Sequence, residues 1–165
     1  MGDSDETVSA EKLYDVVKTS YDEETKRYSD LNDRAKFYLS IVGVYGAAAL
    51  FKSDSLHSAA ERDVWTKALA IATATVLGLS VASVALSARL CFYETPFEPK
   101  DVIEELDDDD EINPAVFYGA RLADIAVAVA RNSVTNDERA RWLDIALYAL
   151  VMGILFNVIF IVVLI

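Results

Sequence analysis

The chain has 165 residues, is 53% hydrophobic and carries a formal net charge of −12. Its one histidine (His57) and one cysteine (Cys91) exclude a His/Cys metal cluster of the usual spacing within the chain, and an internal disulfide framework. The acid excess argues against nucleic acid as a partner, because neutralising phosphates takes clusters of Lys and Arg.

Residues 1–8 read as a disordered acidic tail, and Ser9 as an N-cap with Glu11 in the first turn. A cytoplasmic helix follows over residues 9–36, with no proline and no glycine before Gly43. Tyr14, Tyr21 and Tyr28 repeat every seven residues, and Val17, Glu24 and Leu31 fill the positions three further on. This is a two-heptad coiled-coil pattern with a charged residue in its seam. It predicts packing against another helix of the same chain or of a neighbouring subunit; a tyrosine-lined ligand surface is the sharper reading.

The helix leads directly into a first span at Phe37–Phe51, fifteen apolar residues between Lys36 and Lys52. At 1.5 Å per residue these rise about 22 Å, short of a hydrocarbon core of roughly 30 Å. Lysine stems that snorkel can extend the apolar length; a buried soluble helix is the alternative. Because the run begins at residue 37 behind an acidic segment, it is expected to stay in the protein rather than be cleaved as a signal peptide. An external loop is expected at 52–67. A second span, Ala68–Ala88, has 21 residues and no charge.

Residues 89–141 are expected in the cytoplasm. Thr95-Pro96 and Glu98-Pro99 stop the helix leaving the second span. Lys100–Leu106 suggests a short helix. Asp107–Glu111, five successive acids, lacks the glycine and spacing of a calcium loop and reads as solvated. Asn113-Pro114 opens a further helix reaching about Arg131, in which Arg121 and Asp124 can pair at i, i+3. Those two charges weigh against a fourth span and favour a helix lying against the long N-terminal one. Asn132–Asn136 either continues it or makes a brief turn. Trp142–Ile165 is the last span, interrupted only by Asp144 and Asn157.

The fold class is therefore an all-α membrane protein with three transmembrane helices. A long cytoplasmic helix runs into the first, and another precedes the last. Basic residues near span ends set orientation. With the N-terminus inside, Lys26, Arg27, Arg34, Lys36, Arg89, Lys100, Arg131, Arg139 and Arg141 are internal, against Lys52, Arg62 and Lys67 outside. This predicts a multi-pass protein of the cell membrane, N-terminus cytoplasmic and C-terminus external. All acids but Asp144 lie outside the spans, and Asp outnumbers Glu, suggesting a prokaryotic host with a salty cytoplasm, such as a halophilic archaeon.

Small residues permit the close backbone approach that helix association in lipid needs. Gly43 and Ala47 in the first span, Ala70, Ala74, Gly78 and Ala82 in the second, and Ala149 and Gly153 in the third recur at four-residue spacing. They predict tight helix packing. Thr73, Thr75, Ser80, Ser83 and Ser87 are candidate pore-lining groups. Asp144 is explained by a bridge to Arg141 or a place near a helix start. Asn157, deeper in the span, predicts a bond across helices and a ring of amides if copies meet on an axis.

Several features have a counterpart in one group of proteins. A charged helix runs into the first span at Asn32-Asp33-Arg34-Ala35-Lys36, and a hairpin of two spans follows. A cytoplasmic helix then precedes a basic entry to the last span, Arg139-Ala140-Arg141-Trp142-Leu143, with Ala146 and Gly153 behind. In this order of parts the chain resembles the SLATT-type and Pycsar-type transmembrane effectors of prokaryotes, which accompany nucleotide-signalled anti-phage systems. The resemblance implies an oligomer that disturbs the inner membrane when a partner protein or nucleotide signals. No phosphate-binding glycine loop is present in the sequence. The expectation is a non-enzymatic, homo-oligomeric protein without cofactor, having the lipid bilayer as partner and a cytoplasmic protein as a further one. The alternative is a membrane scaffold or small subunit that docks a partner through its cytoplasmic helices.

Overall fold

The computed structural model describes residues 3–51, 64–90, 93–96 and 114–164. Every regular element among them is an α-helix: α1 (Asp3–Phe51), α2 (Val64–Arg89) and α3 (Pro114–Leu164). Among the described residues two stretches are long and apolar enough to cross a membrane, α2 itself and Tyr118–Val162 within α3. Phe37–Phe51 closes α1 as helix, but α1 is not among the helices that meet that measure.

The boundaries depart from expectation in four places. Residues 3–8 are helical rather than a frayed tail, and Ser9 lies inside α1 rather than capping it; neither glycine nor proline stops the helix there. α2 starts at Val64, inside the expected loop 52–67. It ends at Arg89, short of the expected stop at Thr95-Pro96: Leu90 N–H bonds to Ser87 O at 3.3 Å, and residues 93–96 are already non-helical. α3 runs unbroken through residues 132–136, so there is no turn. Asn132 and Asn136 use their amides on neighbouring segments instead of competing for their own backbone. Asp144, well inside α3, is exposed and near no helix start. His57, Cys91, Glu98-Pro99, Lys100–Leu106 and Asp107–Glu111 lie outside the described residues.

The chain divides into two units: Met1–Ser29 with Phe92–Asp137, and Asp30–Cys91 with Glu138–Ile165. In the first, Tyr14, Tyr21 and Tyr28 are half-buried and face the same chain. Tyr14 meets Tyr118 with ring centroids 5.5 Å apart, while Tyr93 meets Tyr21 at 5.9 Å and Tyr28 at 4.9 Å. All three pairs are tilted by 53–57°, in the range where ring quadrupoles attract. Arg27 bonds to Asp137 and lies 3.6 Å from Glu24. The Arg121–Asp124 pair forms, also at 3.6 Å.

The second unit packs around Leu31, Tyr38, Val84, Leu143, Ala146 and Leu150. α1 contributes its continuing heptad: Leu31 and Tyr38 follow Val17 and Glu24 at seven-residue steps, with Ala35 and Val42 on the companion positions. α2 contributes a different kind of face. Thr66, Thr73, Ser80 and Ser87, again seven apart, are all buried, together with Ser83 and Val84.

Candidate functional site

The two units each hold a polar arrangement that sequence periodicity only partly announces. In the first, Asn132 pins the extended segment after α2. Its Oδ1 accepts from Glu94 N–H at 2.9 Å, and its Nδ2 donates to Glu94 O, also at 2.9 Å. One buried amide thus satisfies both backbone groups of one residue, as a neighbouring strand would. Arg131 Nη1 adds a bond to Glu94 Oε1 at 2.7 Å. On the other flank the Tyr93 hydroxyl bonds to Thr25 Oγ1. Asn136 Nδ2 donates to Glu24 O at 3.1 Å and to Glu24 Oε2 at 2.8 Å, which places the charged seam residue in a satisfied position. Burial, and then the adjacent Tyr93 phenol, raise the Tyr21 phenol above its ordinary value. The bond to Asp137 raises the Arg27 guanidinium.

In the second unit the polarity is inverted relative to a water-soluble bundle. The buried face of α2 is lined by hydroxyls, while Ile71, Leu79, Leu86, Leu155, Val158 and Val162 are exposed. Ser80, wholly buried, donates across the seam to Ala146 O at 2.9 Å. Thr73 and Ser83 donate to carbonyls of their own helix, Leu69 O and Leu79 O, at 2.9 Å each. The buried Ser87 hydroxyl has no hydrogen-bond partner among the described residues. Buried Arg139 donates from Nη2 to Asn32 Oδ1. Of the five candidate pore-lining groups, Thr73, Ser80, Ser83 and Ser87 share this face; Thr75 is exposed and bonds to Ile71 O at 2.8 Å.

A comparison with known protein families, curated proteins and solved structures found no match to this chain. The chemistry of the chain must be read from its own side chains. Among the described residues no three His, Cys, Asp or Glu side chains are grouped to hold a metal ion.

The small-residue stripes fall on two kinds of surface. Ala149 and Gly153 are buried, and an ideal Cβ at Gly153 would lie 2.7 Å from Leu77 Cδ2, so the backbone of α3 approaches α2 closely there. Ala70 is half-buried. Gly43, Ala47, Ala74, Gly78 and Ala82 are exposed, and a Cβ at Gly43 or Gly78 would meet nothing within 4 Å. Within the chain, α2 therefore packs through its hydroxyl heptad rather than through its alanine and glycine stripe. The seven-residue spacing keeps the hydroxyls on one seam, serine and threonine are small enough for close approach, and Ser80 adds a bond between helices. Asn157 is half-buried beside Tyr45 and Thr73. Tyr45 was recoverable by extending the Val17–Glu24–Leu31 heptad two steps. Tyr93 and Asn132 carry no local pattern; only the path of the chain after α2 brings them into play.

Proposed function

We propose that this chain is a non-enzymatic, multi-pass protein of the cell membrane that oligomerises and acts as a membrane-disrupting or channel-like effector. In this reading residues 37–51, 68–88 and 142–165 cross the bilayer, with the N-terminus cytoplasmic and the C-terminus external. The observation that carries it is the inverted polarity of the second unit. Its large aliphatic side chains, Leu155, Val158 and Val162 among them, are exposed, while Ser80, Ser83 and Ser87 are buried. In water, exposed apolar area costs about 25 cal/mol per Å²; against lipid it costs nothing. The open face of Ala74, Gly78 and Ala82 offers a second copy a place for close backbone approach. The resemblance to SLATT-type and Pycsar-type effectors points the same way. Dye or ion release from liposomes carrying the purified protein tests the reading; vesicles that stay tight at every oligomeric state reject it.

A second reading, a scaffold that docks a cytoplasmic protein, is favoured by Leu13, Val16, Val127 and Val134, which are exposed in the first unit. It predicts tight liposomes and a co-purifying protein that is lost on Val127→Lys or Val134→Lys.

A further inference from the structure

In the first unit α3 carries two regular faces. Arg121, Ile125, Ala128, Asn132 and Asn136 are buried and pack within the chain. Ala120, Ala123, Val127, Ala130 and Val134 are exposed, at steps of three, four, three and four residues. That is the a/d spacing by which one helix seats on another. Val127 and Val134 are 50% and 69% exposed. Between residues 119 and 134 the exposed positions of α3 hold only two polar side chains, Asp124 and Arg131. Each is already in an ion pair within the chain, Asp124 with Arg121 at 3.6 Å and Arg131 with Glu94 at 2.7 Å. Covering this face therefore strands no lone charge. α1 in the same unit has the composition of a solvated face: Glu11, Lys12, Asp15, Lys18, Asp22 and Glu23 are exposed there.

The flanks of the stripe select the occupant. With Ala120, Val127 and Val134 at a and Ala123 and Ala130 at d, Asp124 and Arg131 fall at e, and Gly119, Ala126 and Ser133 at g. In a parallel pair each e residue faces the g residue of the neighbour, five positions earlier. Asp124 of one copy then meets Gly119 of the next, and Arg131 meets Ala126. Identical chains thus bring no like charges together, and the small flanks permit close approach. Copies inserted the same way into one membrane also run α3 in the same direction and at the same height, as a parallel seam requires. Two heptads are fewer than a free coiled coil sustains, and the shared membrane supplies the missing proximity. We propose that the Ala120–Ala123–Val127–Ala130–Val134 face of α3 is a parallel seam covered by the same face of a second copy of this chain. This rests on the reading of the chain as an oligomeric membrane protein.

Disulfide formation in the full-length protein, purified and placed in liposomes, tests it. Cys91→Ser provides the background, and single cysteines are placed by Ala123→Cys, Val127→Cys, Ala130→Cys and, on the flank, Ala126→Cys. A disulfide needs Cα atoms within about 7 Å, which a parallel seam gives to matching seam positions of two copies and denies to the flank. Oxidation should therefore link the seam positions at least about tenfold faster than Ala126→Cys. Val134→Lys combined with Ala130→Cys should remove that advantage, while circular dichroism shows the helix content unchanged. Seam and flank linking at equal rates, as in chance collision, overturns the proposal. So does the absence of linking at every position, the result expected where a cytoplasmic protein, missing from the liposomes, covers this face. An amine-reactive crosslinker separates the two readings: multimers without seam disulfides leave the oligomeric reading standing, and monomers throughout remove both.

Discussion

Gly153→Ala sets a methyl group against the end of the half-buried Leu77 side chain. An ideal Cβ at this position lies 2.7 Å from Leu77 Cδ2 and 3.0 Å from Leu77 Cγ. Carbon atoms in contact prefer about 3.5–4.0 Å, so the leucine must retreat by about 1 Å. Overpacking of this kind costs ~1–3 kcal/mol. Replacing glycine by alanine in a helix returns about 0.5–1 kcal/mol. The net effect expected for Gly153→Ala is therefore ~0–2.5 kcal/mol of destabilisation. Gly78→Ala is the control, because its Cβ meets nothing within 4 Å and only the helix gain remains. The two variants should differ by ~1–3 kcal/mol, a separation in melting temperature on the order of 5 °C for a chain of this size. Thermal unfolding in one mild detergent, followed by the emission of Trp65 and Trp142, measures it. The decisive comparison is the double variant: Leu77→Ala reopens the space, so the cost of Gly153→Ala should largely disappear in that background. If the two costs simply add, the contact between α3 and Leu77 is not there. Destabilisation by Gly78→Ala would instead place a neighbouring copy against the Ala74–Gly78–Ala82 face.

Asn132→Leu deletes both amide bonds to Glu94 and strands a part-buried backbone pair, at a local cost of ~2–4 kcal/mol. Amide exchange at Glu94 should speed up about 30- to 700-fold, while exchange in the middle of α2 is unchanged. Ser80→Ala removes the bond to Ala146 O and should cost only about 0.6 kcal/mol by steric-trap unfolding, since such bonds between helices in lipid are weak. Tyr21 carries a raised pKa, so the folded chain keeps that proton at pH values where the unfolded chain has released it. The unfolded state then binds fewer protons, and stability contributed by Tyr21 is complete below about pH 10 and falls as pH rises beyond it. Alkaline unfolding followed by circular dichroism should shift to higher pH in Tyr21→Phe.

Much of this architecture was legible because helices repeat. The tyrosines at 14, 21 and 28 gave the half-buried face of α1, and the companion phase Val17–Glu24 carried forward locates Leu31, Tyr38 and Tyr45. The apolar runs located α2 and the last part of α3. Which face of α2 turns toward α3 was not legible: alanine and glycine at every fourth position and hydroxyls at every seventh are both regular, and composition does not say which packs within the chain. The contact with α3 decides it, through Leu77 against Gly153 and Ser80 against Ala146. Asn132 was hidden for another reason. Asparagines in a helical run signal a turn by local propensity, and here the amides find partners far along the chain, at Glu94 and Glu24, so the helix continues. Tertiary bonds of this kind leave no periodic trace.

The hydroxyl face of α2 bears on how the protein is made. Thr73, Thr75 and Ser83 already bond to carbonyls of their own helix. A nascent α2 released sideways from the translocon would therefore carry few unmet polar groups into lipid, and could wait there without a chaperoning neighbour. Docking of α3 then requires little of α2 beyond turning the Ser80 hydroxyl toward Ala146. On the membrane reading proposed above, insertion can come first and helix docking second, with Ser80 and Ser87 carrying hydroxyls that lack a bond to their own helix among the described residues.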